Sequence, residues 1–391
     1  MDLNAATCET IARRGPRPLL LHLMLASLPS PPSPNGLLRW RHAWQNWKPG
    51  QDLPDFTSCL GDQAPGQLDD GLIAAIAAYR RHPYQRRVED PPVIWREGGS
   101  RLLDYGGSGP AVLFVPSLIN RAYIFDLSPE SSFLRYLAAH GVHPMLLDWG
   151  WPDQDERNFS LTDYIEGRLG RAIAACPHPI ILAGYCMGGL FALAAASRRP
   201  DKVSALALLA TPWDFHADAP GMAPLARGVM DVLAPIMHST GTLPIDAIQG
   251  LVAMIDPHAV HTKFRSFAKL DPNSAKAIRF VALEDWLNDG VPLAAPVARE
   301  TLDGWYSRNT PQQGRWFVAG LPVAPATIKI PTLVVIPNRD RLVPPASASA
   351  LLPLIPHAEV LSPSAGHIGM IAGAGAPHSL WQPFLNWVTS L

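Results

Sequence analysis

Between residues 111 and 211 the chain is organised in blocks. Apolar runs rich in Val, Ile and Leu occupy 111–116, 142–149, 179–185 and 203–211, and the stretches 129–140 and 161–176 between them read as helices. Short runs without polar alternation are the mark of strands buried on both faces. Strands separated by helices of this length imply βαβ units and a parallel sheet. The alternation stops at Trp213: residues 213–326 are helical in flavour, broken by prolines, and carry no strand signal. It resumes with an apolar run at 331–336, a helix over 346–354, a strand at 358–361 and a closing helix from 379. Ahead of the first block, 93–96 and 102–105 flank Gly98-Gly99-Ser100 and predict a β-hairpin, while 71–80 predicts a short helix.

The run at 179–185 leads into Gly184-Tyr185-Cys186-Met187-Gly188-Gly189, followed by small and apolar residues of helical character. This is the layout of a nucleophile elbow, the sharp strand-to-helix turn that lifts one reactive side chain above a parallel sheet. A nucleophile held there has a strained backbone, and side chains on its close neighbours would clash with strand and helix. The glycines around Cys186 serve that need. The usual occupant is Ser; here it is Cys. Ligands of open parallel sheets gather at the carboxyl ends of the strands, and in such a core the acid follows the nucleophile and the histidine follows the acid. Asp340 comes just after the run at 331–336, and His367 ends Ser364-Ala365-Gly366-His367 after the next strand.

The roles follow from the chemistry. A free thiol has a pKa of about 8.5, so only a small fraction is thiolate at neutral pH. His367 is the expected base for Cys186, and Asp340 the group that fixes its tautomer and stabilises the imidazolium. The helix N-terminus after Cys186 favours the thiolate further. The oxyanion hole is expected from the backbone N–H of Met187 and one N–H from the loop after the first core strand, at Leu118 or Ile119. A thiolate attacking a thioester exchanges one thioester for another and preserves the acyl-transfer potential. Serine would leave a less reactive oxygen ester, suited to hydrolysis, so Cys favours acyl transfer.

A chain of 391 residues holds one large core with accessories, and its 48% apolar and 17% charged residues are those of a globular protein. The net charge of −1 offers no electrostatic grip on nucleic acid. Cys8, Cys59, Cys176 and Cys186 are too widely and irregularly spaced for a disulfide framework or a zinc site, which points to a reducing cytoplasm. Arg13-Arg14-Gly15-Pro16-Arg17 followed by the apolar run 19–28 imitates a secretory signal. The run is too short to span a bilayer, and a proline-rich segment replaces a cleavage site. The favoured reading is an apolar helix that packs on the body or adheres to a hydrophobic surface.

Taken together, several segments resemble one family. Pro116-Ser117-Leu118-Ile119-Asn120-Arg121-Ala122-Tyr123, Leu147-Asp148-Trp149-Gly150-Trp151-Pro152 and Gly184-Tyr185-Cys186-Met187-Gly188-Gly189 look like three successive motifs of polyhydroxyalkanoate synthases. So do Arg199-Pro200-Asp201-Lys202-Val203, Thr211-Pro212-Trp213-Asp214-Phe215, Glu284-Asp285-Trp286-Leu287, Asp340-Arg341-Leu342-Val343-Pro344-Pro345 and Gly366-His367-Ile368-Gly369. The resemblance runs from residue 111 to the C-terminus and puts the family's catalytic Cys, Asp and His on Cys186, Asp340 and His367. It implies polymerisation of (R)-3-hydroxyacyl-CoA, with CoA released and no cofactor, since the CoA thioester is the substrate. It also implies a second, non-catalytic subunit or a homodimer, and a cytoplasmic site of action at polyester granules. The family usually has His after the acid, where this chain has Arg341.

The resulting expectation is an α/β-hydrolase fold: a mostly parallel sheet flanked by helices, with a helical lid inserted before the strand leading to the acid. Its division is an N-terminal accessory region (1–95), a first core part (96–212), the lid (213–326) and a second core part (327–391). Two other readings stand beside polymerisation: an acyl-CoA thioesterase or small-molecule acyltransferase on the same scaffold, and a non-catalytic protein that binds granules or a synthase. Cys176 reads as structural. Asp148 reads as closing a strand, Asp214 and Asp285 as lid supports, and His216, His238, His258 and His261 as lid residues without metal-binding spacing.

Overall fold

The apolar runs become the strands of one eight-stranded sheet in the computed structural model, which describes Arg13 and residues 15–26, 70–218, 221–255 and 257–391. The turn-rich segment 29–36, Cys8 and Cys59 lie outside the described residues. The strands are β1 (Val93–Glu97), β2 (Ser100–Asp104), β3 (Ala111–Val115), β4 (His143–Asp148), β5 (Ile180–Tyr185), β6 (Val203–Leu209), β7 (Thr332–Val335) and β8 (Glu359–Leu361). They lie in the order β1-β2-β4-β3-β5-β6-β7-β8. The β1–β2 hairpin and the β2–β4 pair are antiparallel, and every other pair is parallel.

β5 lies inside the sheet and is buried along its whole length. Its side chains divide with the two-residue period of a strand: Leu182 joins the core on one face, and Ile181, Ala183 and Tyr185 join the core on the other. The first core packs the elbow helix against the sheet through Leu190, Phe191 and Leu193. The second is aromatic, with Phe114 within ring contact of Phe125, Phe133 and Phe384.

The helices start and stop where local chemistry directs. The helix expected at 129–140 begins only at α3 (Phe133–Ala139), because the Ser132 side chain caps it by accepting from Arg135 N–H at 3.1 Å. The one expected at 161–176 opens with a π-helical turn (Asp163–Leu169) before α4 (Gly170–Ala174). In the N-terminal region, α1 (Leu19–Ala26) packs on α2 (Asp70–Arg81), which buries Leu72, Ala75, Ile76 and Tyr79 at helical spacing.

The stretch between β6 and β7 is built of helices. After the elbow helix α5 (Met187–Arg198) come α6 (Met222–Thr240), α7 (Ile245–Ile255), α8 (Pro257–Phe267) and α9 (Ala275–Asn288). Shorter turns follow at Ala295–Arg299 and Glu300–Ser307. Two ladders interrupt them, Thr242–Leu243 with Leu293–Ala294 and Phe317–Val318 with Leu321–Pro322. Two-residue strands are too short to leave an alternating pattern, which is why the sequence shows no sign of them. The chain closes with α10 (Gln382–Ser390). Among the described residues no helix is long and apolar enough to cross a membrane.

Candidate active site

Cys186 stands between β5 and α5 with φ 56° and ψ −125°, a region that costs a non-glycine residue on the order of 1–3 kcal/mol. The turn is held by Cys186 N–H donating to the Leu209 carbonyl of β6 at 2.9 Å. Close approach explains the glycines. A β-carbon on Gly188 would run into the Val115 and Pro116 carbonyls, and one on Gly189 into the Thr211 side chain.

Asp340 lies in the loop after β7 and is 5% exposed. Its Oδ1 accepts the backbone N–H groups of Leu342 at 2.8 Å and Val343 at 2.9 Å, which leaves Oδ2 for His367 Nδ1 at 2.6 Å. A carboxylate only accepts, so the ring proton of this bond is on Nδ1 and Nε2 is left for Cys186. On its other side His367 is under the electrostatic influence of the Cys186 sulfur. The ring of Tyr185 packs on His367 with centroids 4.9 Å apart, and its hydroxyl donates to the His367 carbonyl at 3.3 Å. The structure thus brings the three residues singled out in the sequence together, His367 bonded to Asp340 and electrostatically coupled to Cys186.

Burial works against a charged imidazole, but the Cys186 sulfur and the Asp340 carboxylate outweigh it and push His367 up to about 10. A proton taken up by His367 is therefore held on the ring until it is handed to a leaving group. Burial, with Cys186 and Asp340 nearby, also drives the Tyr185 phenol upward, so that it stays a donor.

Of the oxyanion candidates, Met187 occupies the first turn of α5, where N–H groups have no partner within the helix. Ile119 N–H donates to Ser117 Oγ at 3.2 Å, while Leu118 N–H meets no acceptor among the described residues. Leu118 is therefore the better placed of the two. Arg341 is exposed, and it is the next two residues that bond to Asp340.

Other expectations resolve plainly. Cys176 is buried, donates to the Ala172 carbonyl at 3.3 Å, and is pushed up to about 12 by burial. Asp214 accepts from Asn309 Nδ2 at 2.7 Å and from the N–H groups of His216 and Ala217, tying the loop after β6 to the lid. Asp285 binds Arg13 at 2.8 Å and the Tyr79 hydroxyl at 2.9 Å. Sequence reasoning missed Tyr306, in the π-helical turn Glu300–Ser307, whose phenol is pushed upward by desolvation and by the Cys186 sulfur, although the side chain as a whole is exposed. Nothing in its neighbourhood in sequence marks it; only the fold carries it to the thiol.

A family model described as the alpha/beta hydrolase fold matches residues 111–374, and this chain belongs to that family. The expected fold is borne out. Within it, the chain is similar to poly(3-hydroxyalkanoate) polymerase subunit PhaC of Haloferax mediterranei, 27% identical over 88% of this chain and 70% of that one. The PhaC subunit of Allochromatium vinosum is 28% identical over 86% of this chain and 96% of its own. That of Synechocystis sp. is 29% identical over 71% and 77% respectively. These likenesses bear out the resemblance drawn from the motifs.

Proposed function

We propose that this protein is an acyltransferase of the polyhydroxyalkanoate synthase type, acting on (R)-3-hydroxyacyl-CoA through Cys186. The observation that carries the reading is a cysteine, not a serine, at an elbow aligned with His367 and Asp340, in a chain whose relatives are named polymerase subunits. Cys186 gives its thiol proton to His367, and its Sγ attacks the thioester carbonyl carbon. The tetrahedral oxyanion is met by the N–H groups of Met187 and Leu118, a contribution of about 3 kcal/mol per donor. The carbon–sulfur bond to CoA breaks, and His367 gives its proton to the departing thiolate. In the second half, His367 takes the proton of a 3-hydroxyl group, whose oxygen attacks the acyl-Cys186 carbonyl. An ester forms and Cys186 is released. Asp340 keeps the ring oriented through both halves. No cofactor enters this cycle, because the thioester itself is the activated group. Work with a second subunit or as a homodimer, in the cytoplasm at the surface of a polyester granule, completes the proposal.

The test uses purified protein and its Cys186→Ala variant with (R)-3-hydroxybutyryl-CoA and a medium-chain analogue, following CoA and insoluble polyester together. Polymer with CoA release, absent in the variant, supports the reading. CoA with free hydroxy acid alone makes the protein a thioesterase. No release, with or without an added second subunit, refutes acyl transfer from these substrates.

A further inference from the structure

The loop after β3 carries Leu118, and it is gripped from both sides. On the core side, Trp149 Nε1 donates to the Pro116 carbonyl at 2.9 Å. Asp148, at the end of β4, holds Arg121 at 3.3 Å and Arg101 at 2.6 Å through one carboxylate oxygen. On the lid side, α9 and the residues after it supply three contacts. Trp286 Nε1 donates to the Arg121 carbonyl at 2.7 Å, Val291 N–H donates to the Ile119 carbonyl at 2.7 Å, and Asn120 forms an antiparallel bridge with Gly290. A β-carbon on Gly290 would stand 3.4 Å from the Ile119 carbonyl oxygen, so loop and lid are already in close contact.

We infer that Trp286 is a positioning residue: its indole N–H ties the lid to the loop that aims Leu118 N–H at the reacting carbonyl. The inference rests on the acyl-transfer reading above. The indole ring is buried, so a phenylalanine could fill much of its space, but the Arg121 carbonyl would lose its donor. The two residues before it are themselves fixed, Glu284 by Lys263 at 2.7 Å and Asp285 by Arg13 and Tyr79, which sets the rotation of α9 about its axis. The Glu284-Asp285-Trp286 motif is thereby explained as two anchors and a clamp. Seating of α9 and stabilisation of the tetrahedral intermediate become linked, since a misplacement of about 1 Å can cost a hundredfold in rate.

The experiment compares wild type with Trp286→Phe in three measurements. For (R)-3-hydroxybutyryl-CoA, kcat for CoA release falls by about tenfold to a hundredfold while KM stays within about twofold. Alkylation of Cys186 by iodoacetamide, a displacement that builds no oxyanion, keeps its rate. Amide hydrogen exchange over residues 118–121 becomes faster, while that of β7 does not change. Trp286→His, which retains a ring N–H, recovers part of the rate. Where the Phe variant does not fold, β-(3-benzothienyl)alanine at position 286 replaces the N–H by sulfur in the same shape. An unchanged kcat in the face of an active wild type overturns the inference. So does alkylation that falls in step with acylation, or unchanged exchange at 118–121. Should wild type release no CoA, the proposed reaction fails on its own, and the exchange measurement alone decides whether Trp286 positions the loop.

Discussion

Arg339 grips Ser364 twice, its guanidinium donating to the backbone carbonyl and to the side-chain hydroxyl at 2.7 Å each. One residue precedes Asp340 and the other lies three before His367, so this contact bolts the acid loop to the histidine loop. Backbone bonds from Arg339 N–H to Ala365 and from Asn338 N–H to Pro363 complete the joint. Arg339→Ala should lower kcat severalfold by loosening the His367–Asp340 spacing. Because the contact is exposed, the loss of stability should be about 1 kcal/mol or less. Steady-state kinetics and urea denaturation of the same variant check both halves.

Asp340 has both oxygens committed, one to two backbone donors and one to His367. An amide in its place cannot accept at both positions, so Asp340→Asn must either lose the loop bonds or present a donor to the ring. CoA release should fall by roughly 10²–10⁴-fold with the fold retained. A variant with near-native turnover would show that the ring needs no orienting carboxylate.

The proton on His367 gives the activity and stability of this protein a pH signature. The folded state holds the ring well above its ordinary value of 6.5, at about 10. A group whose folded value is raised stabilises fully below its unfolded value, and the contribution disappears as pH climbs through the folded one. Stability should therefore decline between pH 6.5 and about 10. Cys186→Ala removes the largest of the raising influences, so the ring should titrate lower and this decline should move to lower pH. NMR titration of the His367 ring in both proteins measures it, and equal titrations would exclude the coupling.

Cys176 and Cys186 should differ sharply towards iodoacetamide. Burial and its high titration point keep the Cys176 thiol inert, whereas Cys186 is half-buried beside an imidazolium. Peptide mass spectrometry of the native protein should find Cys186 alkylated and Cys176 unmodified until denaturant is added.

Gly188 faces the end of β3 with no room for a side chain. Gly188→Ala should cost about 1–3 kcal/mol or more, because the obstacles are the Val115 and Pro116 carbonyls of the backbone and cannot rotate away. It should also lower turnover, since any shift of β3 moves Leu118. Denaturation curves and CoA release would be read together.

The parallel sheet, the elbow and the candidates Cys186, Asp340 and His367, which the fold brings together, were legible in the sequence because each rests on local rules. Buried strands must be apolar on both faces, a strained turn needs small neighbours, and acid and histidine follow their own strands in chain order. Where the local signal was short, it failed. The two-residue ladders of the lid and the late start of α3 depend on pairings and a cap that no periodicity records.

Tertiary structure decided what distance along the chain conceals. It bonded His367 to Asp340 across 27 residues and pressed Tyr185 onto the imidazole. It occupied Ile119 N–H with Ser117 and left Leu118, and it laid Trp286 on the Arg121 carbonyl across 165 residues. Tyr306 came near the thiol by the same route. Residue type and spacing determine which chemistry a chain can hold, because they act through the backbone nearby. Which donor meets which acceptor depends on how buried surfaces pack, and that is settled only when the whole chain has folded.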